Sequence, residues 1–141
     1  MFLDNTRSIA EFQFLSTFDS MSMQMPLWPI LIILFGHWVG DFLLQGSTMA
    51  ERKSNSLLWL TIHVLIYTAT LGVFSFVLFD QNGLIDFLLF NGALHFLTDF
   101  LTSKLAAKYK LNPRIFFLVL GFDQLIHTVT LIGSMFFYFG R

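Results

Sequence analysis

Between Leu27 and Tyr138 the chain is apolar in four long runs, with polar and charged residues gathered in the breaks between them. The runs extend from Leu27 to about Gln45, from Leu57 to Phe79, from Leu84 to about Lys104, and from Arg114 to Tyr138. Each comes close to or exceeds the roughly 20 residues a helix needs to cross a bilayer. The breaks carry helix punctuation. Pro26 and Pro29 stand at the mouth of the first run, where a missing N–H costs little, and Ser54 or Ser56 precedes the second as an N-cap. Asp80-Gln81-Asn82-Gly83 has turn chemistry and predicts a tight hairpin into the third run, while Asn112-Pro113 reads as N-cap and first residue of the fourth. The pattern predicts an all-α fold, an integral membrane four-helix bundle with antiparallel neighbours.

Residues 1–26 break this pattern: Phe2, Leu3, Ile9, Phe12, Phe14, Leu15 and Phe18 are scattered among charged, Ser and Thr positions. Without a continuous apolar core they fit neither a span nor a signal peptide. The expected organisation is an amino-terminal arm over 1–26, an interfacial helix or a partner contact, followed by a membrane domain over 27–141. Met21, Met23 and Met25 are alternative starts that would make the arm dispensable.

Charge sets an orientation. Arg52 and Lys53 follow the first run, and Lys104, Lys108, Lys110 and Arg114 surround the break after the third. Both basic breaks fall on one side, the cytoplasmic side by the positive-inside rule, which places both termini outside. The net charge of −1 gives no global basic field to attract nucleic acid, so no nucleic-acid partner is expected. The absence of cysteine excludes disulfides and thiolate metal sites, leaving His, Asp and Glu for any metal chemistry.

Those residues are placed conspicuously. His37 and Asp41 stand four apart within the first run, His95 and Asp99 repeat the spacing in the third, and Asp123 and His127 reverse it in the fourth. His63 lies in the second run, with Tyr67 four residues on. Residues i and i+4 share a helix face. At about 1.5 Å per residue, His37, Asp41, His63, His95, Asp99, Asp123 and His127 all fall roughly 7–19 Å inside the basic end of their runs, a single polar layer. Gly36-His37-Trp38-Val39-Gly40-Asp41-Phe42 also aligns with His95-Phe96-Leu97-Thr98-Asp99-Phe100, and each is followed by a basic break and an Ile-His pair, Ile62-His63 or Ile126-His127. Two parallel-repeat helical hairpins are expected, related by a pseudo-two-fold axis through the polar layer.

A charge inside a span costs at least about 2.5–3.5 kcal/mol, so each must be paired, protonated or ligated. Four imidazoles and three carboxylates suffice for one metal ion, or for two sharing a bridging carboxylate, and this thiol-free set suits Zn, Mn or Fe. The competing readings are a proton or ion relay and a hydrogen-bonded network that only holds helices together. Gly36 and Gly40 would let a neighbouring helix approach the His37 face. Gln45, Tyr67 and Gln124 are candidates to orient the ligands, and Arg52, Lys53 and Lys104 to bind an anion or lipid headgroup. Trp28, Trp59 and Tyr138 read as interfacial anchors.

Taken together, Gly36-His37-x-x-Gly40-Asp41-Phe42-x-x-Gln45, His63-x-x-x-Tyr67, His95-x-x-x-Asp99 with Lys104 after it, and Asp123-Gln124-x-x-His127 resemble a small prokaryotic and phage membrane family, domain of unknown function 3307. The resemblance covers about residues 27–139 and leaves out the arm. It implies a four-span inner-membrane protein with these polar residues shared, and it implies no activity. A looser similarity in size, spans and His/Asp motifs points to membrane-bound metal-dependent hydrolases, as analogy alone. The expected function is therefore an intramembrane metal centre near the cytoplasmic side that hydrolyses anionic, lipid-like substrates. The alternatives are a proton or divalent-cation transporter, or an accessory subunit of a larger membrane assembly. The lipid bilayer is the expected partner in every case, with a homo-oligomer or a larger complex as a further expectation.

Overall fold

The computed structural model describes residues 26–138, and no β-strand occurs among them. The amino-terminal arm and the extreme carboxyl terminus lie outside the described residues. Helix α1 spans Leu27–Trp38 and runs on through a π-helical turn, Val39–Leu43. A short helix α2, Ser47–Arg52, fills the first basic break. Three long helices follow, α3 at Leu57–Ser75, α4 at Gln81–Lys108 and α5 at Pro113–Tyr138. These three are long and apolar enough to cross a membrane, while Leu27–Leu43 is a shorter apolar helix.

Local chemistry accounts for the boundaries. Ser56 caps α3, its side chain accepting from the backbone N–H of Trp59 at 3.5 Å. Asn112 does the same for α5 through the N–H of Ile115 at 3.3 Å, with Pro113 in the first helical position as the sequence predicts. The hairpin before α4 differs from expectation. Asp80 accepts from the N–H of Gly83 at 2.8 Å as an N-cap, so Gln81–Gly83 form the first helical turn and the reversal falls on residues 76–79. In consequence α3 ends four residues short of the expected Phe79, and α4 begins before Leu84 and runs on to Lys108.

Helix α1 packs against α3 and α5, α3 against α4, and α4 against α5, so the four enclose a common interior. That interior has two storeys. Ile33, Tyr67, Leu71, Phe87, Leu131 and Met135 form a buried apolar core in the half away from the basic breaks. In the other half the ionisable residues are buried, beside Leu60, Val64 and Val119, and the outward faces of the helices carry exposed Leu31, Phe35, Leu65, Leu97, Phe122 and Val129. A polar inside with an apolar outside inverts the usual arrangement of a water-soluble domain. Each long helix keeps its buried residues on one stripe, as in His63, Tyr67, Leu71 and Ser75 of α3, or Asn91, His95 and Asp99 of α4.

Close approach between α1 and α3 depends on two glycines. A Cβ on Gly36 would sit 2.8 Å from Phe74 Cβ, and one on Gly40 would sit 3.2 Å from Tyr67 Cα. Bare backbone there lets α3 press His63 towards the π turn that carries Asp41.

Candidate metal centre

Four helices and the π turn deliver the seven predicted residues to one interior site. His37 closes α1, Asp41 lies in the π turn, His63 comes from α3, His95 and Asp99 from α4, and Asp123 and His127 from α5. None is more than 6% exposed. The π turn is local and specific: the N–H of Leu44 reaches the carbonyl of Val39, five residues back, at 2.9 Å. Such turns insert one residue into a helix and recur at functional sites, and here the turn carries the carboxylate.

The tightest grouping is Asp41, His63, His95 and Asp99. His63 Nε2 lies 3.1 Å from Asp41 Oδ1, 3.1 Å from Asp99 Oδ2 and 3.1 Å from His95 Nε2. His95 Nε2 lies 3.6 Å from Asp41 Oδ1 and 3.8 Å from Asp99 Oδ2. Four donor atoms from two helices and the π turn thus lie within 4.8 Å of one another. A tetrahedral ion with ligands at about 2.0–2.1 Å separates those ligands by about 3.3–3.5 Å, so these spacings match the edges of such a polyhedron. Hydrogen bonds alone serve the group poorly. One Nε2 carries at most one proton, and His63 Nε2 faces two carboxylates and an imidazole. The rings are held from the side: Tyr67 stacks on His95 at 3.8 Å between centroids, and His127 stacks on its other flank at 4.1 Å.

A second grouping shares Asp41. Asp41 Oδ2 accepts from Gln124 Nε2 at 2.7 Å, and the same amide nitrogen donates to Asp123 Oδ2 at 3.1 Å. His127 Nδ1 lies 3.8 Å from both Asp41 Oδ2 and Asp123 Oδ2. His37 Nε2 donates to Gln124 Oε1 at 3.1 Å. Thr102 Oγ1 donates to Asp123 Oδ1 at 2.5 Å and fixes that carboxylate from α4.

The basic residues separate into distinct roles. Lys53 leaves the loop after α2 and places Nζ 2.6 Å from Asp99 Oδ2, with its side chain only 12% exposed. Arg52 instead lies over the Trp59 ring at 5.5 Å, and Lys104 over Phe100 at 3.4 Å, both exposed and away from the cluster. A cavity of about 880 Å³ opens beside Lys53, lined by Ser54, Thr102, Ser103 and Lys110, with Asp99 and Asp123 in its wall. Gln45 also lines it and has a buried Oε1 without a hydrogen-bond partner. Of the predicted orienting residues, Gln124 bridges the two groupings, Tyr67 packs on an imidazole, and Gln45 faces the cavity.

Several participants escape a reading of spacing. Thr102 follows Asp99 by three residues on the same face, a signal present in the sequence. Lys53 is marked only by its basic charge, and its partner follows from the folded loop. Buried atoms left without hydrogen-bond partners include Asp41 Oδ1, which faces the nest, and both ring nitrogens of His127. Buried polar atoms are normally satisfied, so a cation fits what these groups lack.

No curated protein and no solved structure matches the chain. Residues 30–140 match the family described as a protein of unknown function, DUF3307, a stretch that contains all seven clustered residues together with Lys53, Gln124 and Thr102. The chain therefore belongs to the DUF3307 family.

Proposed function

We propose that the protein is a four-span inner-membrane protein whose interior holds a divalent transition metal, and that it hydrolyses anionic, phosphoester-bearing, lipid-like substrates. The observation that carries this reading is the nest of Asp41, His63, His95 and Asp99, whose atom spacings suit a tetrahedral Zn, Mn or Fe ion. Charge supports it. The three buried carboxylates face one ammonium, Lys53, and the two negative charges left over are what one divalent ion cancels.

In this reading α1 with its π turn is the fourth span, and the hairpins α1–α3 and α4–α5 are the two parallel repeats. The outward apolar faces meet lipid. The cavity opens at the basic, cytoplasmic end, where Lys53 and Lys110 attract an anionic headgroup. A bound ion would acidify a coordinated water towards neutral pH and polarise a phosphoryl oxygen. With the ion held by Asp41, His63, His95 and Asp99, hydrolysis would join the water oxygen to phosphorus and break the P–O bond to the alcohol, and Asp123 or Asp99 would carry the water's proton to the leaving oxygen. Transport has less support, because the packed core of Ile33, Leu71, Phe87, Leu131 and Met135 fills the other half.

The test is elemental analysis of detergent-purified protein beside His95→Ala and the less disruptive His95→Gln. At least one equivalent of transition metal is expected in the wild type and a loss of tenfold or more in both variants. Folded wild-type protein free of metal would end the proposal. With metal present, hydrolysis of lipid phosphoesters is expected to fall to background in His95→Gln.

A further inference from the structure

We infer a second divalent-cation site beside the first, formed by Asp41 Oδ2, Asp123 Oδ2, His127 Nδ1 and the amide oxygen of Gln124, with Asp41 bridging the two ions. The inference rests on reading the first nest as a metal site, and it makes the centre dinuclear.

The two oxygens of Asp41 point to different neighbours. Oδ1 faces His63 and His95 at 3.1 and 3.6 Å, whereas Oδ2 faces Gln124 and His127 at 2.7 and 3.8 Å. A carboxylate so disposed is placed to join two cations. His127 carries the independent signal. It is 2% exposed, and neither of its ring nitrogens has a hydrogen-bond partner. A buried imidazole deprived at both ends is costly, yet its Nδ1 is equidistant, at 3.8 Å, from Asp41 Oδ2 and Asp123 Oδ2. Those gaps exceed by a few tenths of an ångström the roughly 3.0–3.5 Å edges of an octahedral or tetrahedral site, a shortfall that an ion closes by drawing its ligands inward.

Gln124 fits the same site. Its amide lies 3.1 Å from Asp123 Oδ2, the spacing of adjacent ligands, and 2.7 Å from Asp41 Oδ2, a few tenths of an ångström short of it. Turning the amide over exchanges oxygen for nitrogen without changing its shape. The oxygen then faces the cation, and the NH2 donates to His37 Nε2, which a neutral imidazole can accept. Thr102 holds the outer oxygen of Asp123, leaving Oδ2 for the ion.

The cavity gives the second ion its use. Asp99 of the first site and Asp123 of the second stand in the same wall, so a phosphoryl group entering past Lys53 would meet both ions. Paired ions about 3.5–4 Å apart clamp the attacking and leaving oxygens of an in-line displacement. The second ion leaves two positive charges over, which a dianionic phosphate balances. A phosphate monoester is therefore the substrate class this arrangement suits best.

The experiment titrates metal-free, detergent-purified protein with Mn²⁺, counting bound ion by elemental analysis and recording the electron paramagnetic resonance spectrum. The wild type is expected to bind two equivalents with an exchange-coupled spectrum. Asp123→Asn and His127→Gln are each expected to retain one equivalent and lose the coupling. Saturation of the wild type at one uncoupled equivalent would overturn the second site and leave the first standing, whereas no binding at all would remove both. Two equivalents retained in both variants would place the second ion elsewhere and overturn the assignment.

Discussion

Asn91 lies one turn beyond His95 on the buried stripe of α4, and its Nδ2 donates across the interface to Ser134 Oγ of α5 at 2.8 Å. Hydrogen bonds between helices in a membrane are worth about 0.6 kcal/mol on average and up to about 1.7. Asn91→Ala is accordingly expected to lower the unfolding free energy in detergent by about 0.6–1.7 kcal/mol while leaving metal content unchanged. A loss of metal would instead tie Asn91 to the centre. The contrast marks what single residues reveal in a sequence. Ionised groups in an apolar run stand out, because nothing but pairing or ligation makes them tolerable, and the seven His and Asp residues were legible for that reason. An uncharged Asn at the same helical spacing is easily passed over. Lys53 was visible as a basic loop residue, but its 2.6 Å contact with Asp99 depends on how α2 folds the loop back over the site.

At the scale of elements, Gly36 separates α1 from α3. Gly36→Ala drives a methyl into Phe74 near its backbone, at 2.8 Å, where no flexible tip can swing aside. A cost of about 1–3 kcal/mol is expected, with weakened metal retention as His63 withdraws from Asp41. Gly121, with nothing within 4 Å of its added Cβ, is the control. Gly121→Ala should be neutral or raise stability by up to about 1 kcal/mol. Thermal unfolding of both variants checks the pair, and equal destabilisation would disprove the role given to Gly36. The small-residue spacing made this contact legible. The π turn at Val39–Leu43 was not, because its sequence continues an ordinary helical pattern and its packing against α3 is a property of the folded chain. The Asp80–Gly83 stretch was read as a turn where it begins a helix, since an Asp followed three residues later by Gly serves both purposes.

For the whole molecule, four apolar runs and the basic breaks were enough to expect α-helices with a shared polar layer, and the interior brings that layer together. The absence of cysteine makes the topology simple to test. Asn55 and Leu111 are exposed in the two basic breaks, and Asn82 is exposed at the opposite end. In intact cells, an impermeant maleimide is expected to label Asn82→Cys and to spare Asn55→Cys and Leu111→Cys until the cells are opened. Labelling of Asn55 and Asn82 positions alike from outside would refute the four-span arrangement.

The apolar storey of Ile33, Leu71, Phe87, Leu131 and Met135 closes the interior opposite the cavity. Among the described residues, an ion bound in the cluster would then have one door, the one beside Lys53. Under the proposed function, metallation would be a late step of maturation, completed after the helices have assembled and drawing on the compartment that the basic loops face. Because thiol-free His and Asp sites discriminate weakly among first-row ions, the resident metal would follow the free-ion supply of that compartment more than the preference of the ligands.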